Sequence, residues 1–161
     1  MLIDVRELIH TSGRIVARDQ VTVDDPAQGE MVVPCRVDVD YRKTGVAYHL
    51  HATVVTDWET RCARCLDLVH QSVTGEFDLV VKHEEHGGES SDEMILLGPH
   101  EHEVVLDPLV HEAVLLAVPM VTLCREDCAG LCPVCGVNRN QETCACGEST
   151  DSRWDALKKL T

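Results

Sequence analysis

Apolar and polar residues alternate along much of the first half of this chain, with the two-residue period of a strand that buries one face. Residues 21–23, 33–41, 45–55 and 73–82 carry the alternation or are rich in β-branched side chains, and Val37, Val39 and Tyr41 fall on one side of the second run. Asp24-Asp25-Pro26 with Gly29, and Lys43-Thr44-Gly45, supply turn chemistry between the runs. Strands joined this closely predict an antiparallel meander and leave no room for βαβ crossovers. No internal repeat is evident.

Residues 83–92 are polar, with Gly87-Gly88 and Ser90-Ser91 set among acids and histidines, and read as a loop. Two short strands follow at 94–97 and 103–106, on either side of Gly98-Pro99. Asp107 is placed to cap a helix that has Pro108 at its first position and is stopped by Pro119. Apolar residues occupy most of that helix's circumference, which predicts packing against the sheet. Asp151 then opens a last short helix, with Trp154, Leu157 and Leu160 on one face and Lys158 and Lys159 at its end. The fold class expected is α+β: an antiparallel β-rich domain over residues 1–123 with one packed helix, and a Cys-rich, zinc-ribbon-like tail over 124–161 that ends in a short helix.

Composition refines this picture. The 161 residues are 44% apolar with one Phe, two Tyr and two Trp, so the interior must be aliphatic and few rings are available to stack bases. The first residues mix charged with apolar side chains, and no run approaches the roughly 20 apolar residues of a membrane span, which leaves a reducing cytoplasm as the expected compartment. Of the net charge of −14, most sits in the middle: residues 66–123 hold 12 acids and the single base Lys82. That region would repel a polyanion and attract a basic protein.

The candidate chemistry is in the cysteines. Eight of nine fall in four short pairs, Cys62/Cys65, Cys124/Cys128, Cys132/Cys135 and Cys144/Cys146, and in a reducing compartment this density points to metal ligands. In Cys132-Pro133-Val134-Cys135-Gly136 the spacing lets both sulfurs reach one ion, and Gly136 can adopt the positive φ that turns backbone amides toward them. Cys144 and Cys146 can complete that shell across the eight residues between the pairs. Cys62, Cys65, Cys124 and Cys128 can form a second four-thiolate site, although 58 residues separate its halves. One zinc that takes Cys124 or Cys128 into the knuckle, leaving Cys62 and Cys65 free, is the competing assignment; spacing does not choose. Cys35 stands alone in an apolar run and reads as a small buried residue.

Other chemistries fit less well. A redox dithiol at Cys62/Cys65 would gain from Arg61 and Arg64 but lacks a βαβ context. A zinc deaminase needs Pro-Cys-x-x-Cys, and Leu131 precedes Cys132. A phosphodiester hydrolase would have to recruit carboxylates from the 84–103 region. His83, His86, His100 and His102, interleaved with glutamates, read as solvated loop residues rather than as ligands. A shell of four cysteines has no open position for water, so its zinc would be structural.

Three elements carry a resemblance: Thr60-Arg61-Cys62-Ala63-Arg64-Cys65-Leu66; Val105-Leu106-Asp107-Pro108-Leu109 leading to Ala117-Val118-Pro119; and Cys128-Ala129-Gly130-Leu131-Cys132-Pro133-Val134-Cys135-Gly136-Val137-Asn138-Arg139-Asn140. Together with the ending Asp151-Ser152-Arg153-Trp154, they resemble the YceD family of bacterial and plastid proteins, the large ribosomal RNA subunit accumulation proteins. The resemblance implies a non-enzymatic role in 23S rRNA accumulation or processing, in contact with a basic ribosomal protein or with precursor rRNA. It implies no catalytic residue. Arg61, Arg64 and Arg139, with Arg36, Arg42 and Lys43, are the basic side chains placed to meet phosphates, and the rival function is a dithiol redox protein or a zinc-stabilised adaptor outside the ribosome.

Overall fold

The structure, a computed structural model, describes residues 1–8, 10–25, 29–83 and 94–147. The elements run β1 (Leu2–Asp4), one 3-10 turn (Val5–Glu7), β2 (Ser12–Asp25), β3 (Gly29–Thr44), β4 (Ala47–Arg61), β5 (Leu68–His83), β6 (Met94–Leu97), β7 (Glu103–Val105) and α1 (Asp107–Ala117). The five-stranded sheet has the order β2-β3-β4-β5-β6, and β1 pairs with β7 in a separate two-stranded ladder.

The alternation is realised as predicted in β3 and β4: Val33, Cys35, Val37, Val39 and Tyr41 are buried, and the residues between them are exposed except Asp38, which is buried and pairs with Arg36. Thr44 pairs with Ala47 across a two-residue turn in which Gly45 takes φ +60°. Cys35 is buried at 5% exposure, and the interior is aliphatic around Trp58, Leu79 and Leu106.

Three expectations need correction. β2 begins at Ser12, well before residue 21, and pairs with β3 from Ser12↔Arg42 to Asp25↔Gly29. Its exposed Arg14, Arg18 and Gln20 face solvent on an edge strand, so the ladder rather than the side-chain pattern defines its first half. The short strands 94–97 and 103–105 do not pair with each other: β6 joins β5 in parallel, which ends the meander, and β7 joins β1. Asp107 is the first helical residue and Leu106 the cap; leucine has no side-chain acceptor to offer, and the Asp107 carboxylate accepts from the Met1 amino group.

Helix α1 buries Val110, Ala113 and Val114. It lies so close to β5 that a Cβ on Gly75 would stand 2.3 Å from the Ala113 carbonyl oxygen. Glycine is the residue that lets helix and strand approach this far.

The chain divides into two compact units, Met1–Trp58 with His70–Pro119, and Glu59–Val69 with Met120–Thr161. The second unit holds the ends of β4 and β5 and one isolated antiparallel bridge, Leu131 to Asn138, among the described residues. The short helix expected from Asp151 and the acidic and histidine-bearing stretch 84–93 lie outside the described residues.

Candidate metal centres

Two knuckles of the same build supply half of the clustered cysteines. In the first, at the turn from β4 to β5, the Cys62 N–H donates to the Asp67 carbonyl at 2.8 Å and the Leu66 N–H returns to the Cys62 carbonyl at 3.0 Å. In the second, the Cys132 N–H donates to the Val137 carbonyl at 2.8 Å and the Gly136 N–H to the Cys132 carbonyl at 2.9 Å. Each loop is closed by a residue of positive φ, Leu66 at 64° and Gly136 at 74°. The closure turns backbone amides onto the first sulfur, as where the Arg64 N–H donates to Cys62 Sγ at 3.4 Å.

Backbone bonds bind the rest of the unit to the first knuckle. The Ala63 N–H donates to the Thr122 carbonyl at 2.9 Å and the Leu131 N–H to the Arg64 carbonyl at 3.0 Å. The sulfurs of Cys62, Cys65, Cys124 and Cys128 thereby lie within 4.8 Å of one another, and so do those of Cys132, Cys135, Cys144 and Cys146. These are the two groups of three or more His, Cys, Asp or Glu side chains able to hold a metal ion among the described residues. The competing assignment, with Cys124 or Cys128 drawn into the Cys132 knuckle, is not the grouping found.

The spacing suits a tetrahedral ion. Metal–sulfur bonds of about 2.3 Å put the corners of a tetrahedron about 3.8 Å apart. Cys62 Sγ and Cys128 Sγ are 3.8 Å apart and Cys65 Sγ and Cys124 Sγ 3.5 Å. In the first cluster Cys62, Cys65 and Cys128 are buried and Cys124 exposed; in the second only Cys132 is buried.

Electrostatics in each cluster divide the thiols. Burial opposes ionisation of Cys62, but the backbone N–H groups of Cys65, Cys124 and Arg64 outweigh it and bring the thiol down to about 6. Cys65 is favoured as a thiolate by the Asp67 backbone, yet burial and the sulfurs of Cys62 and Cys124 push it up. In the second cluster the Cys135 and Val134 amides bring Cys132 down to about 6, while the Cys135 sulfur and burial push Cys146 up to about 12. Thiols this close resist joint ionisation, and a divalent cation removes the conflict.

The two arginines of the first knuckle expected to meet phosphates have local partners. Arg61 donates to the Leu66 carbonyl at 3.2 Å and Arg64 to the Cys128 carbonyl at 3.0 Å. Arg139 is exposed, and its backbone N–H donates to the Gly130 carbonyl at 2.9 Å. His83 and His102 meet edge to face, with ring centroids 5.6 Å apart, and neither belongs to a metal cluster among the described residues.

Three polar side chains that the spacing of the cysteines does not point to, Asp67, Asn138 and Asn140, stand beside the first cluster. Asn140 Nδ2 donates to Cys128 Sγ at 3.3 Å, and Asn138 Nδ2 donates at 3.0 Å to Asp67 Oδ2, the oxygen that the Cys65 thiol also faces at 3.3 Å. The only signal in the sequence was two amide side chains in a short loop between cysteine pairs.

The model of the family described as large ribosomal RNA subunit accumulation protein YceD matches residues 50–161, which include both knuckles and both clusters. The chain belongs to the YceD family. By its name, the family serves accumulation of the large ribosomal subunit's RNA. Proteins from Mycobacterium bovis and from two strains of Mycobacterium tuberculosis, each bearing the name uncharacterized protein, are 27% identical over 162 residues, which cover 99% of this chain and 74% of theirs. No solved structure matches this YceD chain. Among the described residues no helix is long and apolar enough to cross a membrane.

Proposed function

We propose that this chain is a non-enzymatic factor of large ribosomal subunit biogenesis, working in the cytoplasm, whose second unit is held together by two structural zinc ions. The observation that carries this reading is that each cluster completes its own set of four thiols. Such a shell has no open position for water or substrate, and tetrahedral sulfur ligation selects zinc or an iron–sulfur centre. Cys62, Cys65, Cys124 and Cys128 would hold one ion and Cys132, Cys135, Cys144 and Cys146 the other. Metal analysis of purified protein should find two zinc ions per chain; an iron–sulfur absorption band would overturn zinc.

Its role would be to support accumulation or processing of 23S rRNA through contact with a basic ribosomal protein or with precursor rRNA. The excess of acids over residues 66–123 supports the protein partner. Arg61, Arg64 and Arg139 support the RNA partner, and Arg139 is the cleanest probe because its side chain is exposed, whereas those of Arg61 and Arg64 are bonded to backbone carbonyls. If the contact is RNA, Arg139→Ala weakens binding to 23S fragments and reduces its salt dependence; unchanged binding leaves the protein partner.

The deciding experiment is the ratio of 23S to 16S RNA in depleted cells supplied with wild type or with Cys132→Ser/Cys135→Ser. A selective fall in 23S rescued by wild type alone supports the proposal, and an unchanged ratio favours an adaptor outside the ribosome. A dithiol oxidoreductase needs an accessible thiolate. Cys62 and Cys65 are 0% and 3% exposed, which speaks against that rival.

A further inference from the structure

Asn140 belongs to the loop 136–143, which the second cluster closes, yet its side chain serves the first. Its Nδ2 donates to Cys128 Sγ at 3.3 Å and to Asn138 Oδ1 at 2.8 Å. Its Oδ1 accepts from the Ala129 N–H at 2.8 Å and from the Arg125 guanidinium at 2.9 Å, which fixes the amide's orientation. Asn138 is fixed in turn by the Asn140 N–H at 3.0 Å and donates to Asp67 beside Cys65. One loop of the second cluster thus reaches the first cluster twice, directly through Asn140 on Cys128 and indirectly through Asn138 on the Asp67 carboxylate that Cys65 faces.

We infer that Asn138 and Asn140 couple the two clusters, so that a metal ion in the second tightens the hold of the first on its own ion. The inference rests on the reading that both clusters bind metal. An N–H donated to a ligand sulfur stabilises the thiolate, and outer-shell partners of this kind set metal affinity by about 10–100-fold. The loop 136–143 has little apolar packing: Gly136 and residues 139 and 141–143 are exposed, and its other members are only half-buried. A metal ion bridging Cys132/Cys135 and Cys144/Cys146 pins both of its ends and removes loop-closure entropy. With that ion bound, Asn138 and Asn140 stand ready; without it, their ordering must be met when the first cluster binds. Coupling of this kind is reciprocal, so an ion in the first cluster tightens the second by the same factor.

The test is zinc competition against a chromogenic chelator on the full chain. Wild type should hold two zinc ions. Asn140→Ala should also hold two, with one released at roughly tenfold lower chelator concentration or below, while Gln141→Ala, in the same loop, releases both as wild type does. The variant Cys132→Ser/Cys135→Ser should hold one zinc, weakened by a similar factor, and adding Asn140→Ala to it should cause little further loss because the bond is already disordered. Two zinc ions with unaltered release in Asn140→Ala overturn the coupling and leave the two sites intact. Fewer than two zinc ions in wild type overturn the reading of the sites, and the coupling with it.

Discussion

Leu66 and Gly136 hold the same position in two copies of one backbone loop. Each follows the second cysteine of its knuckle and returns its N–H to the first, at 3.0 and 2.9 Å, and each has positive φ, 64° and 74°. Glycine enters that region freely, while a residue with a Cβ is strained by about 1–2 kcal/mol. Leu66 bears the strain with its side chain 53% exposed.

Gly136→Leu should therefore destabilise the zinc-loaded second unit by roughly 1–2 kcal/mol. Leu66→Gly should stay within about 1 kcal/mol of wild type, because relief of strain is offset by the greater freedom of glycine in the unfolded chain. Chelator-dependent melting of both variants checks this. A large loss in Leu66→Gly would mean that the leucine side chain contributes packing.

Gly75→Ala should be costly in the first unit. The new Cβ would meet the Ala113 carbonyl oxygen at 2.3 Å, so α1 has to move away from β5. A loss on the order of 1–3 kcal/mol is expected in urea unfolding. An unchanged midpoint would show that α1 does not lie against β5.

Cys62→Ser should weaken zinc binding more than Cys135→Ser. The first sulfur is 0% exposed and the second lies at the surface, where water can replace a lost ligand. Zinc stoichiometry and release, measured side by side, check the order. Equal effects would place the two clusters on the same footing despite their different burial.

Chelation should loosen residues 120–147 and leave the first unit folded. The sheet and α1 have their own apolar core, whereas the apolar cluster of the second unit consists of Cys62, Cys65 and Cys128 with Val69 and Leu123 packed against it. Hydrogen exchange with and without chelator reads this directly: protection should vanish near Cys132 and persist in β3 and β4. Loss of protection in both would mean that metal supports the whole chain.

Much of this was legible along the chain. In β3 and β4 one face is buried and the other is mostly wet, so the alternation of Val37, Val39 and Tyr41 was visible. β2 was half hidden because an edge strand with Arg14 and Arg18 outward draws its order from pairing. Cap chemistry at Asp107 misled, since a carboxylate can cap a helix or bind an ammonium but here is engaged by Met1. The likeness of the two knuckles was invisible because it lies in backbone hydrogen bonds, and the residues closing them, Leu66 and Gly136, share no side-chain chemistry.

What neighbours along the chain dictate is local: strand periodicity, turn residues, the reach of two sulfurs spaced by two residues, and the thiol chemistry of a metal site. Each depends on neighbours a few bonds apart. Only the tertiary structure decided that Cys62 and Cys65 meet Cys124 and Cys128 across 58 residues, that β6 lies parallel to β5, and that Asn140 of one cluster's loop rests on a sulfur of the other. Those choices are loop closures, and closure entropy changes so slowly with loop length that spacing scarcely distinguishes one pairing from another. Packing and backbone hydrogen bonds select among them, and both exist only once the chain has folded.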